Sequence, residues 1–162
     1  MGLRKRLIAS VAALVVMALP ALADCAADRV EIRGPFGSVS FRTELALTPA
    51  EQSQGLMFRE EMARLASMLF VFPNDRERGF WMRNTLIPLD MLFVDATGTV
   101  IRIHENAVPG DETVIRSEEP ALAVLEINGG LASQLGIGPG DEVRSPILPQ
   151  PEAAWPCEPG DG

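Results

Sequence analysis

The most constraining feature of this chain is its punctuation. Between Val39 and Arg144 the apolar residues come in short runs, mostly alternating with polar ones, and Gly, Pro, Asn or Asp separates one run from the next. Alternation sends successive side chains to opposite faces of an extended strand, whereas a helix needs apolar residues three and four apart. Val39, Phe41, Thr43, Leu45 and Leu47 share one strand face, with Ser40, Arg42, Glu44 and Ala46 on the other. Met68 to Phe72 is continuously apolar and short enough for a strand buried on both faces, and Phe80 to Met82 is a further short run. Leu89–Asp95 and Thr99–His104 flank Ala96-Thr97-Gly98, the spacing of a hairpin. Ala121–Ile127 lies between Pro120 and Asn128-Gly129-Gly130, and a last short strand, Glu142–Arg144, follows the turn Gly138–Asp141.

Helix signals are few. Thr48 as N-cap, Pro49 at the first helical position and Glu51 closing a capping box predict one helix over about 49–57. Leu131–Leu135 reads as a helical turn stopped by Gly136. From Ser145 onward, prolines at 146, 149, 151, 156 and 159 exclude regular structure and leave a covering arm or a disordered end over 145–162. The expected fold is a mostly-β antiparallel sandwich or barrel over residues 24–144, with an open α+β sheet as the alternative.

The first segment reads as an address. Arg4, Lys5 and Arg6 precede the uncharged run Leu7–Leu19, and Pro20 and Ala21-Leu22-Ala23 follow as a break and a small-residue cleavage signal. The run is shorter than the roughly 20 residues that span a bilayer. Residues 1–23 are therefore expected to be a signal peptide of an exported protein, periplasmic or extracellular, with no stable membrane span once it is cut. An uncleaved anchor is the alternative; a lipid anchor on Cys25 is disfavoured by Asp24 just before it. Removing 23 of the 162 residues leaves 139, and eleven arginines then face 22 acidic residues, a net charge of −11. No basic stripe remains to hold a phosphate backbone, so nucleic acid is not an expected partner.

Cys25 and Cys157 sit near the two ends of the exported part. An even count in an exported chain predicts a disulfide between them; free thiols or pairing between chains are the alternatives. Cys-x-x-Cys is absent, which removes thiol–disulfide catalysis.

Gly55-Leu56-Met57-Phe58-Arg59, Met68-Leu69-Phe70, Phe80-Trp81-Met82-Arg83-Asn84-Thr85, Ile87-Pro88-Leu89-Asp90 and Val124-Leu125-Glu126 follow one another in order. Together they resemble the domain-of-unknown-function 192 family across about 39–143. Arg83 stands where that family usually has lysine, and Ser67 where it often has glycine. The resemblance implies a small, often exported, mostly-β domain similar to a jelly roll, and carries no agreed activity.

Candidate chemistry gathers in Phe80–Asp90. Trp81 offers a flat face and an N–H, Asn84 and Thr85 short polar groups, and Asp90 a carboxylate among Leu89, Met91 and Leu92 that must face outward or be paired. Arg59, just past the helix, is the candidate partner for Asp90. The functional reading is a cleft in which Trp81 stacks a ligand while Arg59, Asn84, Thr85 and Asp90 hydrogen-bond it; the structural reading has Asp90 capping backbone donors and Arg59 tying helix to sheet. Asp90 and Glu126 are the best pair for acid–base work, since apolar surroundings can raise one pKa and separate acid from base.

Other residues fit bland roles. His104, the lone histidine, lacks a Gly-x-Ser-x-Gly elbow to serve. Met57, Met62, Met68, Met82 and Met91 carry no Met-x-x-Met cluster for copper, so no metal or cofactor is expected. Leu135–Val143 lacks the Lys-Ser/Thr of a phosphate loop, and Pro73–Gly79 reads as a charged loop at the cleft rim. The expectation is an exported cell-envelope binding or accessory module for a small polar molecule, a glycan or a peptide. The alternative is a small exported hydrolase using Asp90 and Glu126.

Overall fold

The computed structural model describes residues 25–157. The leader expected over 1–23 lies outside the described residues, and among these no helix is long and apolar enough to cross a membrane. The chain runs β1 (Arg29–Gly34), β2 (Gly37–Ala46), α1 (Pro49–Gln54), β3 (Ala66–Phe80), β4 (Leu89–Val94), β5 (Val100–Ala107), β6 (Ile115–Asn128), α2 (Leu131–Leu135) and β7 (Glu142–Arg144). The seven strands form one mostly-β sheet in the order β5-β4-β6-β3-β2-β1-β7.

That sheet curls until its edges meet. Thr99, just before β5, bridges Glu142 of β7. The Val100 N–H donates to Asp141 O at 2.8 Å, and the Val143 N–H to Gly98 O at 2.7 Å. Closure at this end removes part of the edge that an open sheet would expose. Gly98 is required there: its φ is +81°, and a Cβ would lie 2.8 Å from the Val143 carbonyl oxygen. All pairings are antiparallel except β2 with β3, which run parallel from Arg42 opposite Ala66 to Ala46 opposite Phe70. A parallel step needs a crossover rather than a tight turn. Residues 47–65, with α1 inside them, supply it.

The sheet has an apolar core on each face. Ile32, Phe41, Leu69, Leu92, Leu125 and Ile127 join α2 on one. Met68, Phe70, Met82, Met91, Phe93 and Val124 pack beneath α1 and the segment after it on the other. Strand β4, next to β5 in the strand order, is buried along its whole length.

Three local differences from the sequence reading have clear causes. The helix expected to reach Met57 ends at Gln54, because Gly55 (φ +45°) turns the chain and donates its N–H to Glu51 O. Pro73–Gly79 is not a loop but the outer half of β3. It pairs irregularly with β6 (Arg76 opposite Ala121, Glu77 opposite Pro120) and carries Asp75, Arg76 and Glu77 outward, Glu77 in an ion pair with Arg116, while Arg78 is buried. Trp81 and Met82 leave the strand because the Met82 N–H is taken by Asp111 O at 2.8 Å.

The proline-rich tail is a covering arm as far as Cys157. Leu148 is buried in the first core, and Trp155 lies under the guanidinium groups of Arg33 and Arg144 at 4.6 and 4.4 Å. Cys157 is disulfide-bonded to Cys25 across 132 positions, locking the arm to the segment that leads into β1. A native bridge of this kind contributes about 2–4 kcal/mol, mainly by restricting the unfolded chain. Reduction is expected to lower Tm by about 6–15 °C. A melt unchanged by reductant would show the arm to be held by Leu148 and Trp155 alone.

Candidate functional site

The groove between α1 and the sheet holds a cavity of ≈ 280 Å³. Its floor is Glu126 of β6. In the β6 ladder Glu126 stands opposite Met68 of β3 on one side and Met91 of β4 on the other, so all three side chains share the α1 face. Burial leaves Glu126 only 4% exposed, and no hydrogen bond or ion pair reaches its carboxyl from the described residues. Burial alone raises its pKa to about 8, so the group is mostly protonated at neutral pH.

Aromatic rings form the wall. Phe70, Phe72, Phe80 and Trp81 line the cavity. Phe80 packs edge-to-face on Phe70, Phe72 and Phe93 with centroids 5.1, 6.4 and 6.2 Å away, which fixes its ring. Trp81 stands at the rim, 43% exposed. Thr85 is buried and lines the same space, held by its own N–H to Met82 O and by the Gly110 N–H to its carbonyl. Gln52, Ser53 and Gln54 of α1 add polar groups to the lining, and the Gln52 amide is held in place. Its Nε2 donates to Ala46 O, Leu47 O and Val71 O at 3.3, 3.5 and 2.9 Å. Three carbonyls around that nitrogen fix the amide's orientation and leave its Oε1 for a ligand.

The sequence-derived set divides around this cavity. Trp81, Thr85 and Glu126 come together in it. Asn84 is outside the lining: at φ +54° it shapes the turn, its carbonyl accepting the Phe58 N–H at 2.8 Å and its Nδ2 lying 3.9 Å from Met57 Sδ. Arg59 does not meet Asp90. It pairs in two-pronged fashion with Glu44 of β2 at 2.6 and 2.5 Å, in a shallower groove beyond Gly55. The pair holds the Glu44 carboxyl below the usual range, chiefly through the Arg59 hydrogen bond.

Asp90 lies on the opposite face of the sheet. It stands across from Ile127, one position out of step with Glu126, and is fully buried. Its Oδ1 accepts the N–H groups of Asn106 and Gly130 at 2.8 and 2.7 Å, and its Oδ2 that of Ala132 at 2.8 Å. A carboxylate with three backbone donors is an organiser of α2 and the β5 end. Asp90 and Glu126 therefore cannot converge on one bond, and the acid–base pair does not form. The environment does raise one of those two carboxyls, Glu126, in the direction its apolar run implied.

Gln52 and the phenylalanine wall were not singled out from the sequence. Phe70 and Phe72 alternate toward one face, a visible signal, but Phe80 joins them through the irregular outer half of β3 and Gln52 through the crossover.

No group of three or more His, Cys, Asp or Glu able to hold a metal occurs among the described residues. His104 faces Met91 from β5 and lies outside the cavity.

A curled sheet with an acid-floored, ring-walled groove under its crossover helix defines a small mostly-β domain with a cavity on its α1 face. The chain belongs to the DUF192 family, "Uncharacterized ACR", which it matches over residues 31–145. It is similar to a crystal structure of a protein of unknown function from Novosphingobium aromaticivorans DSM 12444, at 52% identity and a TM-score of 0.71, covering 72% of this chain and 83% of that one. It is also similar to a Sinorhizobium meliloti 1021 protein described as a candidate transcription regulator, at 45% identity and a TM-score of 0.70, covering 72% of this chain and 91% of that one. No curated protein matches the chain.

Proposed function

We propose that this protein is a binding module of the cell envelope, exported to the periplasm or beyond, whose α1-face cavity takes a small polar ligand, including the polar end of a peptide or glycan. The observation that carries this reading is Glu126. Folding does not ordinarily leave a carboxyl both buried and unpartnered, because the lost hydration is not repaid. A cavity opening onto that one group supplies a place where a ligand repays it. Thr85 and the Gln52 carbonyl offer further hydrogen bonds, and the exposed face of Trp81 offers stacking. The disulfide suits an oxidising compartment.

Hydrolysis by Asp90 and Glu126 lacks comparable support, since the two carboxyls occupy opposite faces of β4 and β6.

The test is a thermal-shift screen with amino acids, short peptides, mono- and disaccharides and small amines. A ligand at a hundred times its Kd is expected to stabilise the fold by about 2.7 kcal/mol, a rise of several degrees. Trp81→Ala is expected to weaken each hit about tenfold, the worth of one lost aromatic contact, while its own Tm stays within about 2 °C of the parent. Hits indifferent to Trp81→Ala and Thr85→Val, or a panel with no hits, would remove the cavity from consideration as a binding site.

A further inference from the structure

We propose that the cavity selects organic cations, alkylammonium or quaternary ammonium groups, with Glu126 as counter-ion and Phe72, Phe80 and Trp81 as the surface that receives the alkyl part. The proposal rests on the binding-module reading and narrows it to one class of ligand.

The lining is one-sided in charge. Of its residues, Glu126 is the only ionisable one, and none is basic. The polar side chains of the lining are the Glu126 carboxyl, the Gln52 and Gln54 amides, the Trp81 indole N–H and the Ser53 and Thr85 hydroxyls, and of these only Glu126 can carry charge. An anion entering here would find no basic group to pair with and would gain only neutral hydrogen bonds. A neutral ligand would gain one ordinary hydrogen bond from a protonated acid. A cation would gain an ion pair in a place where water is scarce, together with the negative faces of aromatic rings.

Rings of this wall already hold cations. The Arg78 guanidinium lies 3.9 Å from the Phe72 centroid and that of Arg83 lies 5.5 Å from the Trp81 centroid. Neither arginine lines the cavity, and neither acts on the Glu126 carboxyl, whose ionisation burial alone displaces.

Proton balance follows directly. The protonated Glu126 gives its proton to solvent as the ammonium group arrives, so one cation enters and up to one proton leaves. With a pKa of about 8, roughly one protein in ten is ionised at pH 7, and the apparent affinity is reduced by that fraction. The neighbours do not blur this dependence. Met68 and Met91 flank Glu126 across the sheet, and Gln52 lines the same cavity from α1. Glu44 is paired with Arg59, Glu51 with the Leu47 and Thr48 amides, and Glu77 with Arg116, while Asp90 points to the other face. Asp75 and Arg76 stand on the exposed outer half of β3, and His104 is one strand beyond Met91.

The experiment uses the full exported chain carrying Trp155→Phe, which makes Trp81 the sole tryptophan. Choline and n-butylammonium are titrated beside 3,3-dimethylbutan-1-ol, a neutral isostere of choline, and butyrate. Trp81 fluorescence reports binding. Calorimetry at pH 7 in two buffers of different ionisation enthalpy reports protons released. Both cations are expected to bind at least about tenfold more tightly than the alcohol. Their affinity should rise about tenfold from pH 6 to pH 7 and level off above pH 8, with nearly one proton released per cation at pH 7. Glu126→Gln should abolish the pH dependence and weaken the cations at pH 8 while leaving the alcohol unchanged. The alcohol or butyrate binding as tightly as choline would overturn cation selectivity and leave the binding module intact. No response to any of the four probes would also overturn the cation proposal, and the broader screen alone would then judge the module.

Discussion

Asp90→Ala is expected to lower the unfolding free energy by about 4 kcal/mol, enough to drop Tm by more than 10 °C. The substitution removes the acceptor of three backbone N–H groups at once, those of Asn106, Gly130 and Ala132. Each orphaned buried donor costs about 1–3 kcal/mol; the carboxylate's own lost hydration, no longer incurred, offsets part of the sum. The effect reaches beyond one hydrogen bond. Gly130 precedes α2 in a left-handed conformation with no side chain to cap it, so the strand carboxylate does the capping from across the sheet. Asn106 itself holds φ +51°, a conformation stabilised here by its N–H on Asp90. Asp90→Asn keeps Oδ1 for Asn106 and Gly130 but turns an amide donor toward the Ala132 N–H, and an intermediate loss of about 2–3 kcal/mol follows. Urea unfolding of the three proteins measures this order. Losses under about 1 kcal/mol in both variants would mean that the carboxylate does not organise this end of the fold.

The role of Asp90 depends on contacts far away in the sequence, which local patterns do not carry. Strand alternation between turn residues was enough to expect a mostly-β domain, and the capping box located α1, because both depend on contacts within a few residues. The first strand, Arg29–Gly34, is not legible in the sequence: it is short and bounded by charged residues, and its burial of Val30 and Ile32 is decided by β2 and β7. Pro73–Gly79 looked like a loop because its charges are consecutive. It extends β3 because Ser117 Oγ accepts the Arg78 N–H, and the carbonyls of Ala121 and Asn74 receive the guanidinium.

Register decided the candidate site in the same way. Asp90 and Glu126 are equally plausible acids in a string of letters. Only the pairing of Asp90 with Ile127, rather than with Glu126, sends them to opposite faces. Arg59 chose Glu44 for a similar reason, since the parallel step brings β2 beside β3 and Glu44 onto the face that Arg59 crosses.

Stability should fall as pH rises from about 4.5 to about 8, and Glu126 is the reason. Its pKa is about 8 in the folded chain against 4.5 for the ordinary group. Below both values the carboxyl is neutral folded and unfolded, and it contributes no slope. Between them the folded state holds a proton that the unfolded state has released, so each pH unit favours unfolding by about 1.4 kcal/mol. The loss across the whole window is about 4 kcal/mol, and above the folded pKa it is complete. The carboxyls of Glu44, Glu51 and Asp111, held low by hydrogen bonds, act with the opposite sign, but their stabilisation develops mainly below this window. Glu126→Gln keeps the shape of the side chain and removes the proton. Its stability should be nearly flat from pH 5 to 8, close to the parent at pH 5 and greater by several kcal/mol at pH 8. Chemical unfolding of both proteins without reductant, at intervals across that range, measures the difference. Parallel curves for parent and variant would place the Glu126 carboxyl in water, and with it would go the buried acid on which the cavity's chemistry depends.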